Sequence, residues 1–232
     1  MDGIGERWVA APADERSGVG HGFTPFAPLI VQGYDWGEGK KVFSITGNPA
    51  DAVQIAMRSL LPRNPDLVIS GINRGENTGV DLLYSGTVAG AREAAIYGIP
   101  AISVSRSTRD YPEFETAASI IRNITLNLLD VEIPSGVVIN VNVPGLPLEQ
   151  IKGIRIAHQA ESHYIQDLQV SWDGNGRGVC NWEDITKKIS DPSKMNDYHT
   201  VRKGYVAVTP IHHRMTESPM MARLKYLENL RE

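Results

Sequence analysis

Short apolar runs alternate with amphipathic stretches and glycine-rich connections over the first two-thirds of the sequence. This alternation is typical of β-α-β units wound around a parallel sheet. One unit is especially clear, because residues 67–70 and 101–105 predict buried strands and residues 87–97 predict a helix that ends at Gly98. The pattern therefore predicts an α/β fold, a Rossmann-like three-layer sandwich with a mainly parallel sheet.

The other core elements follow from the same reasoning. Residues 7–11, 41–45 and 137–143 predict strands. Asn48 as a cap, Pro49 at the first helical position and Asp51 in the first turn predict a helix start. A further helix is expected over 113–129, where apolar residues recur on one face.

After Pro144 the pattern changes. Strands are expected at 148–156 and 162–172, a turn at 173–178 and a polar stretch at 187–198, which together indicate an extended β-hairpin arm. Residues 205–209 predict a returning strand and 220–230 a terminal helix. We expect a single domain over 1–232, with an α/β core (1–145), the arm (146–203), and the returning strand with a C-terminal tail (204–232).

Charge and composition exclude several classes of protein. Lys plus Arg number 23 against 27 Asp plus Glu, and this net charge of −4 argues against binding to a nucleic-acid polymer. No run reaches the roughly 18 apolar residues of a membrane span, and no signal pattern opens the chain. The single cysteine, Cys180, cannot form an intramolecular disulfide. We expect a soluble, unexported, cytoplasmic protein without a membrane partner.

The densest polar segment follows the predicted strand at 67–70. It runs from residue 70 to 81, continues at 84–88, and enters the next helix. The carboxyl ends of parallel strands are where open α/β sheets bind ligands. Backbone amides and the Ser85 and Thr87 hydroxyls at the helix start favour an anion, for which phosphate is the natural candidate. The alternative is that Ser85 only caps the helix and the glycines only turn the chain.

A second polar loop, residues 12–21, follows the first predicted strand. In a parallel sheet it would emerge at the same edge as the Asn73 loop, so that both could contact one ligand. Ser17 is then a candidate oxygen donor, although a solvated turn is equally compatible with the charges. His21 either contacts the substrate or has no role. His212 and His213 are adjacent in a predicted strand, point to opposite faces, and are poor candidates for one metal site.

Six segments in this order resemble one known family: APADERSGVGH (11–21), GNPADAV (47–53), PDLVISGINRGENTG (65–79), YSGTV (84–88), GIPAISVS (98–105) and GYVAVTP (204–210). The chain is similar to the survival protein SurE family, whose members are metal-dependent phosphatases of nucleoside 5'- and 3'-monophosphates. The resemblance implies one divalent ion per subunit, Mg or Mn, with Ser17 and Asn73 among its ligands. It also implies that Gly18, Asn77, Ser85, Gly86 and Thr87 bind the substrate phosphate, and it assigns no catalytic residue.

Two adjacent aspartates that complete the metal site in that family do not map onto this chain. Asp2-Gly3-Ile4 resembles part of their motif, and we interpret it as a turn between a helix and a strand. We expect the leading β-α unit to be missing, which would leave a neighbouring strand edge open and lower stability. Ser17 and Asn73 carry no charge, so we expect weak ion binding and impaired activity. The alternative function is a non-catalytic phosphate- or nucleotide-binding or assembly protein.

The resemblance also implies that the arm and the tail assemble subunits. An extended polar β arm has too little core to be stable alone, which favours packing on a partner chain. We expect a homodimer or homotetramer that binds nucleoside monophosphates.

Overall fold

The computed structural model describes residues 3–37, 41–107, 114–181, 183–190 and 195–230. The strands in these ranges are β1 (Trp8–Pro12), β2 (Val31–Asp35), β3 (Lys41–Ile45), β4 (Val68–Arg74), β5 (Ala101–Arg106), β6 (Val137–Val143), β7 (Ile154–Ile156), β8 (Ser162–Asp167), β9 (Val170–Trp172), β10 (Gly178–Cys180), β11 (Glu183–Ile189) and β12 (Val206–His212). The α-helices are α1 (Pro49–Ile55), α2 (Asp81–Tyr84), α3 (Gly86–Ile96), α4 (Glu115–Leu128), α5 (Asp197–Arg202) and α6 (Ser218–Leu224).

The main sheet has five strands in the order β4-β5-β6-β12-β7. Strands β4, β5 and β6 are parallel, β12 runs antiparallel to β6, and β7 runs parallel to β12. The carboxyl ends of β4, β5 and β6 therefore meet at one edge of the sheet. The predicted fold class is confirmed: the architecture is mixed α/β with a mostly parallel central sheet.

A second sheet has the order β1-β3-β2, with β1 parallel and β2 antiparallel to β3. The sequence did not predict β2, because each of its five residues is exposed and no buried face gives an alternating pattern. Within the described ranges, β1 pairs only with β3 and β4 pairs only with β5.

Helices cover both faces of the main sheet. On one face α4 buries Ile121 and Ile124 against Val104 and Val141. On the other face α3 packs closely through its small side chains, Ala91, Ala94 and Ala95. Helix α1 contacts both α3 and β1, so that one helical layer connects the two sheets.

The region after β6 differs in detail from the sequence pattern. The segment expected to be a strand from 148 is a 3-10 turn (Leu148–Gln150) before β7, which joins the main sheet. Strands β8 and β11 form the arm hairpin and β9 and β10 its tip. Helix α5 occupies part of the segment expected to be a polar arm, and Asn196 caps it by accepting the backbone N–H of His199 (3.0 Å).

The C-terminal tail contains α6 and a 3-10 turn (Lys225–Asn229). Its exposed apolar side chains are Met215, Met220, Met221, Leu224, Tyr226, Leu227 and Leu230. In the described part of the chain, no helix has the length and apolar character needed to cross a bilayer.

Candidate functional site

The loop after β1 packs directly on the start of α3. The Gly20 N–H donates to the Tyr84 carbonyl at 2.9 Å. A Cβ atom added at Gly86 would lie 3.2 Å from the Arg16 carbonyl oxygen and 3.3 Å from Val19 Cγ2. Glycine at 86 therefore allows the close approach of the loop that carries Ser17.

Asn73, near the end of β4, reaches the same helix start. The Thr87 hydroxyl donates to Asn73 Oδ1 (3.3 Å), and Asn73 Nδ2 donates to the Gly75 carbonyl (2.8 Å). The Thr87 contact orients the Asn73 amide so that its oxygen faces α3. The two loops selected from the sequence thus flank one helix N-terminus.

The first turn of α3 has the properties of an anion site. Ser85 is buried, and its Oγ accepts the backbone N–H of Val88 (3.1 Å). Ser85 is therefore the N-cap of α3, and its hydroxyl hydrogen remains able to donate to another acceptor. The first turn contains no acidic residue, so the positive end of the helix dipole is not neutralised by the helix itself.

Gly18 and Ser17 lie on the exposed part of the loop. Gly18 has φ +74°, and a Cβ there would meet nothing within 4 Å. Ser17 Oγ donates to Glu15 Oε1 at 3.0 Å. Both residues are open to a ligand, and the positive φ explains the preference for glycine at 18.

Asn77 occupies a different environment. It is buried, its Nδ2 donates to Ser105 Oγ (2.6 Å), and its backbone N–H donates to Asn142 Oδ1 (2.8 Å). Its carbonyl accepts from Asn140 Nδ2 and Asn142 Nδ2 at 3.0 and 2.9 Å. In this structure Asn77 anchors the loop to strands β5 and β6.

His21 has a contact that the sequence did not predict. Its Nε2 lies 2.6 Å from Glu93 Oε2, and Gln54 Nε2 of α1 donates to Glu93 Oε1 at 2.8 Å. Glu93 is buried on α3. This contact fixes the end of the loop to α3. Since the partners are 72 residues apart, no local pattern could indicate it.

The metal predicted from the resemblance has only part of a ligand set here. Ser17 and Asn73 offer neutral oxygen atoms, whereas a hard cation requires carboxylates among several oxygen ligands. Within the described ranges, no group of three or more His, Cys, Asp or Glu side chains is placed to hold an ion. These residues alone therefore do not fit a complete site for a divalent cation. Asp2, the residue that partly matches the aspartate motif, lies outside the described residues.

The chain is similar to known proteins over most of its length. The family model "Survival protein SurE" matches residues 2–166, more than half of the chain. The chain is 40% identical to the 5'-nucleotidase SurE of Thermosipho africanus over 218 residues, covering 94% of this chain and 85% of that protein. It is 39% identical to the 5'-nucleotidase SurE of Symbiobacterium thermophilum, covering 95% and 86%.

A solved structure, that of the SurE protein from Aquifex aeolicus, superposes with a TM-score of 0.78 at 36% sequence identity, covering 95% of this chain and 88% of that one. The structural similarity therefore extends over most of both chains. On these observations, the chain belongs to the survival protein SurE family.

Proposed function

We propose that this protein hydrolyses the phosphate ester of nucleoside 5'- and 3'-monophosphates with the help of a divalent cation. The observation that carries the proposal is the start of α3, where Ser85, Gly86 and Thr87 are flanked by the loops of Ser17 and Asn73. The names of the relatives, 5'-nucleotidases, support this choice of substrate.

Each residue at the helix start has a role that follows from its contacts. The first backbone amides of α3 and the Ser85 hydroxyl bind the phosphate oxygens, which the helix dipole attracts. Gly86 lets the loop that carries Ser17 pack closely on the start of α3. Thr87 holds the Asn73 amide, and Gly18 lets the loop backbone approach the phosphate.

The divalent ion, Mg or Mn and one per subunit, is part of the proposal. A bound ion would polarise the phosphoryl group and lower the pKa of a water molecule. Ser17 Oγ and Asn73 Oδ1 would be two of its neutral ligands.

The rival function is a phosphate- or nucleotide-binding protein without turnover. It is favoured by the absence of an acidic or histidine cluster in the described residues. It predicts that nucleoside monophosphates bind equally well with and without a divalent ion.

A third part of the proposal is assembly into a homodimer or homotetramer through the arm and the tail. The arm tip exposes Val170, Trp172 and Val179, and the apolar side chains of the tail are exposed as well. Exposed apolar clusters of this kind are typical of surfaces that bind another chain. Light scattering coupled to size-exclusion chromatography tests it, and a monomer at micromolar concentration would contradict it.

The activity is tested by measuring phosphate released from nucleoside monophosphates in the presence of Mn or Mg. Asn73→Ala should lower kcat/KM by about tenfold or more, because a displaced group near the phosphate misplaces the reacting atoms. Asn127→Ala, an exposed position on α4, is the matched control and should leave the rate unchanged. A wild-type rate equal to that of Asn73→Ala would reject hydrolysis, and binding measured with and without Mn would then decide on the rival function.

A further inference from the structure

The segment Thr78–Asp81 joins the two halves of the site, since it lies between Asn73 and Ser85. Side chains from much later in the chain hold it. The Gly79 N–H donates to Asp197 Oδ2 (3.0 Å), and the Val80 N–H donates to Ser162 Oγ (2.8 Å). In the opposite direction, Gln159, Tyr164 and Lys187 donate hydrogen bonds to oxygen atoms of this segment.

Asp81 transmits these contacts to the phosphate site. Its carbonyl accepts the backbone N–H of Ser85 at 2.9 Å, so the position of Asp81 sets that of the N-cap of α3. The Asp81 carboxylate is buried and accepts from the Lys187 ammonium and from the Tyr164 hydroxyl. Burial raises the pKa of the Tyr164 phenol, which keeps it protonated and able to donate.

Lys187 is well placed to determine this geometry. It lies on β11 of the arm, its side chain is 11% exposed, and its Nζ also donates to the Thr78 carbonyl (3.2 Å) and hydroxyl (3.1 Å). Glu76 Oε1 lies 4.0 Å from the same nitrogen. In the part of the chain that the structure describes, Lys187 is the cation paired with the Asp81 carboxylate.

We propose that Lys187 is a positioning residue for the phosphate site: by binding Thr78 and Asp81 from the arm, it fixes the N-cap of α3, so that docking of the arm hairpin and assembly of the site are one event. The proposal rests on the proposed function for its kinetic part. Its structural part, order in the segment 78–85, is independent of turnover. A buried carboxylate that loses its cation is strongly destabilised where it stands, so the segment would move.

The experiment compares Lys187→Met, Lys187→Arg and the matched control Lys188→Met, whose lysine is the exposed neighbour on β11. Steady-state kinetics with adenosine 5'-monophosphate and Mn give kcat and KM, and hydrogen exchange reports the amides of residues 78–85. Lys187→Met should lower kcat/KM by about 10- to 100-fold, with most of the loss in kcat, and should accelerate exchange in this segment. Lys187→Arg should recover most of both, and Lys188→Met should behave as wild type.

Two results would overturn the inference. One is unchanged exchange at residues 78–85 in Lys187→Met. The other is a rise in exchange that is equal over β4, β5 and β6, which would mean a general structural role. If Lys187→Met does not fold, Tyr164→Phe, which removes only the hydroxyl that donates to Asp81, must show the same localised pattern. If the wild type releases no phosphate, the proposed function fails, and the exchange data decide on Lys187 by themselves.

Discussion

Replacing Gly79 with alanine should destabilise the protein more than its backbone angle alone explains. Gly79 has φ +59°, in the left-handed region, and a Cβ there would overlap Ser162 Oγ and lie 3.1 Å from the Ala160 carbonyl. Ser162 Oγ accepts the Val80 N–H, so displacing it also breaks a hydrogen bond. The glycine is thus required both by its own conformation and by the strand that crosses it.

The expected loss of stability in Gly79→Ala has two contributions, the left-handed backbone conformation and the broken hydrogen bond to Ser162. The left-handed conformation costs an alanine about 1–2 kcal/mol. Leaving the Val80 N–H unpaired costs about 1–3 kcal/mol more, which gives a total of about 2–5 kcal/mol for Gly79→Ala. Gly98→Ala is the matched control, because Gly98 has φ +77° and its added Cβ would meet only Ser135 Oγ at an ordinary 3.6 Å. Gly98→Ala should therefore show only the cost of the left-handed conformation.

Urea unfolding measures the free energy of unfolding of each variant, with the m-value as a check that compactness is unchanged. In a Ser162→Ala background the Gly79→Ala cost should fall to about 1–2 kcal/mol, because the overlapping oxygen and its hydrogen bond are already gone. A cost of Gly79→Ala no larger than that of Gly98→Ala would show that Ser162 does not restrict this position. Additive effects of Gly79→Ala and Ser162→Ala would show the same.

Three further predictions concern the site. Burial raises the pKa of the Glu76 carboxyl group above its ordinary value of 4.5, although Arg202 acts to lower it. The stability that protonated Glu76 contributes is therefore fully present below pH 4.5 and is lost as the pH rises through the raised pKa of the folded state. Urea titrations at pH 4.5 and 7.5 should therefore show Glu76→Gln gaining stability relative to wild type at the higher pH, and an equal difference at both would contradict this. Ser85→Ala should lose about 1 kcal/mol of stability and Ser85→Gly only a few tenths, while both weaken binding of inorganic phosphate equally in calorimetry. His21→Ala should cost about 1–3 kcal/mol because Glu93 stays buried, and a loss below about 0.5 kcal/mol in thermal unfolding would show that the contact does not stabilise the loop.

The fold was predictable because its signals are local. Apolar runs gave the central strands, and Asn48 with Pro49 and Asp51 gave the start of α1, where the Asn48 N–H donates to Asp51 Oδ2 (2.8 Å). Strand β2 and helix α5 escaped prediction, since an exposed strand and a six-residue helix produce almost no periodicity.

The site was predictable only in part. The loops of Ser17 and Asn73 both reach the start of α3, as expected, but β1 and β4 lie in different sheets, so a shared sheet edge is not the reason. The partners of Asn77 and His21 lie 28 to 72 residues away, and those of Asp81 up to 106 residues away. Such contacts depend on how the loops and arm pack in three dimensions, which neither spacing nor propensity encodes.

The polar ladder beneath Asn77 has a consequence for protein engineering. Ser103 and Asn140 hydrogen-bond to each other (2.8 Å) on a fully buried patch of sheet, beside Ser105 and Asn142. If a hydrophobic segment covered these residues instead of the Asn77 loop, the side-chain amides of Asn140 and Asn142 would be buried without this hydrogen-bond partner, at a cost of about 1–3 kcal/mol each. Transfer of the Asn77 loop into another scaffold therefore requires transfer of Ser105, Asn140 and Asn142 as well.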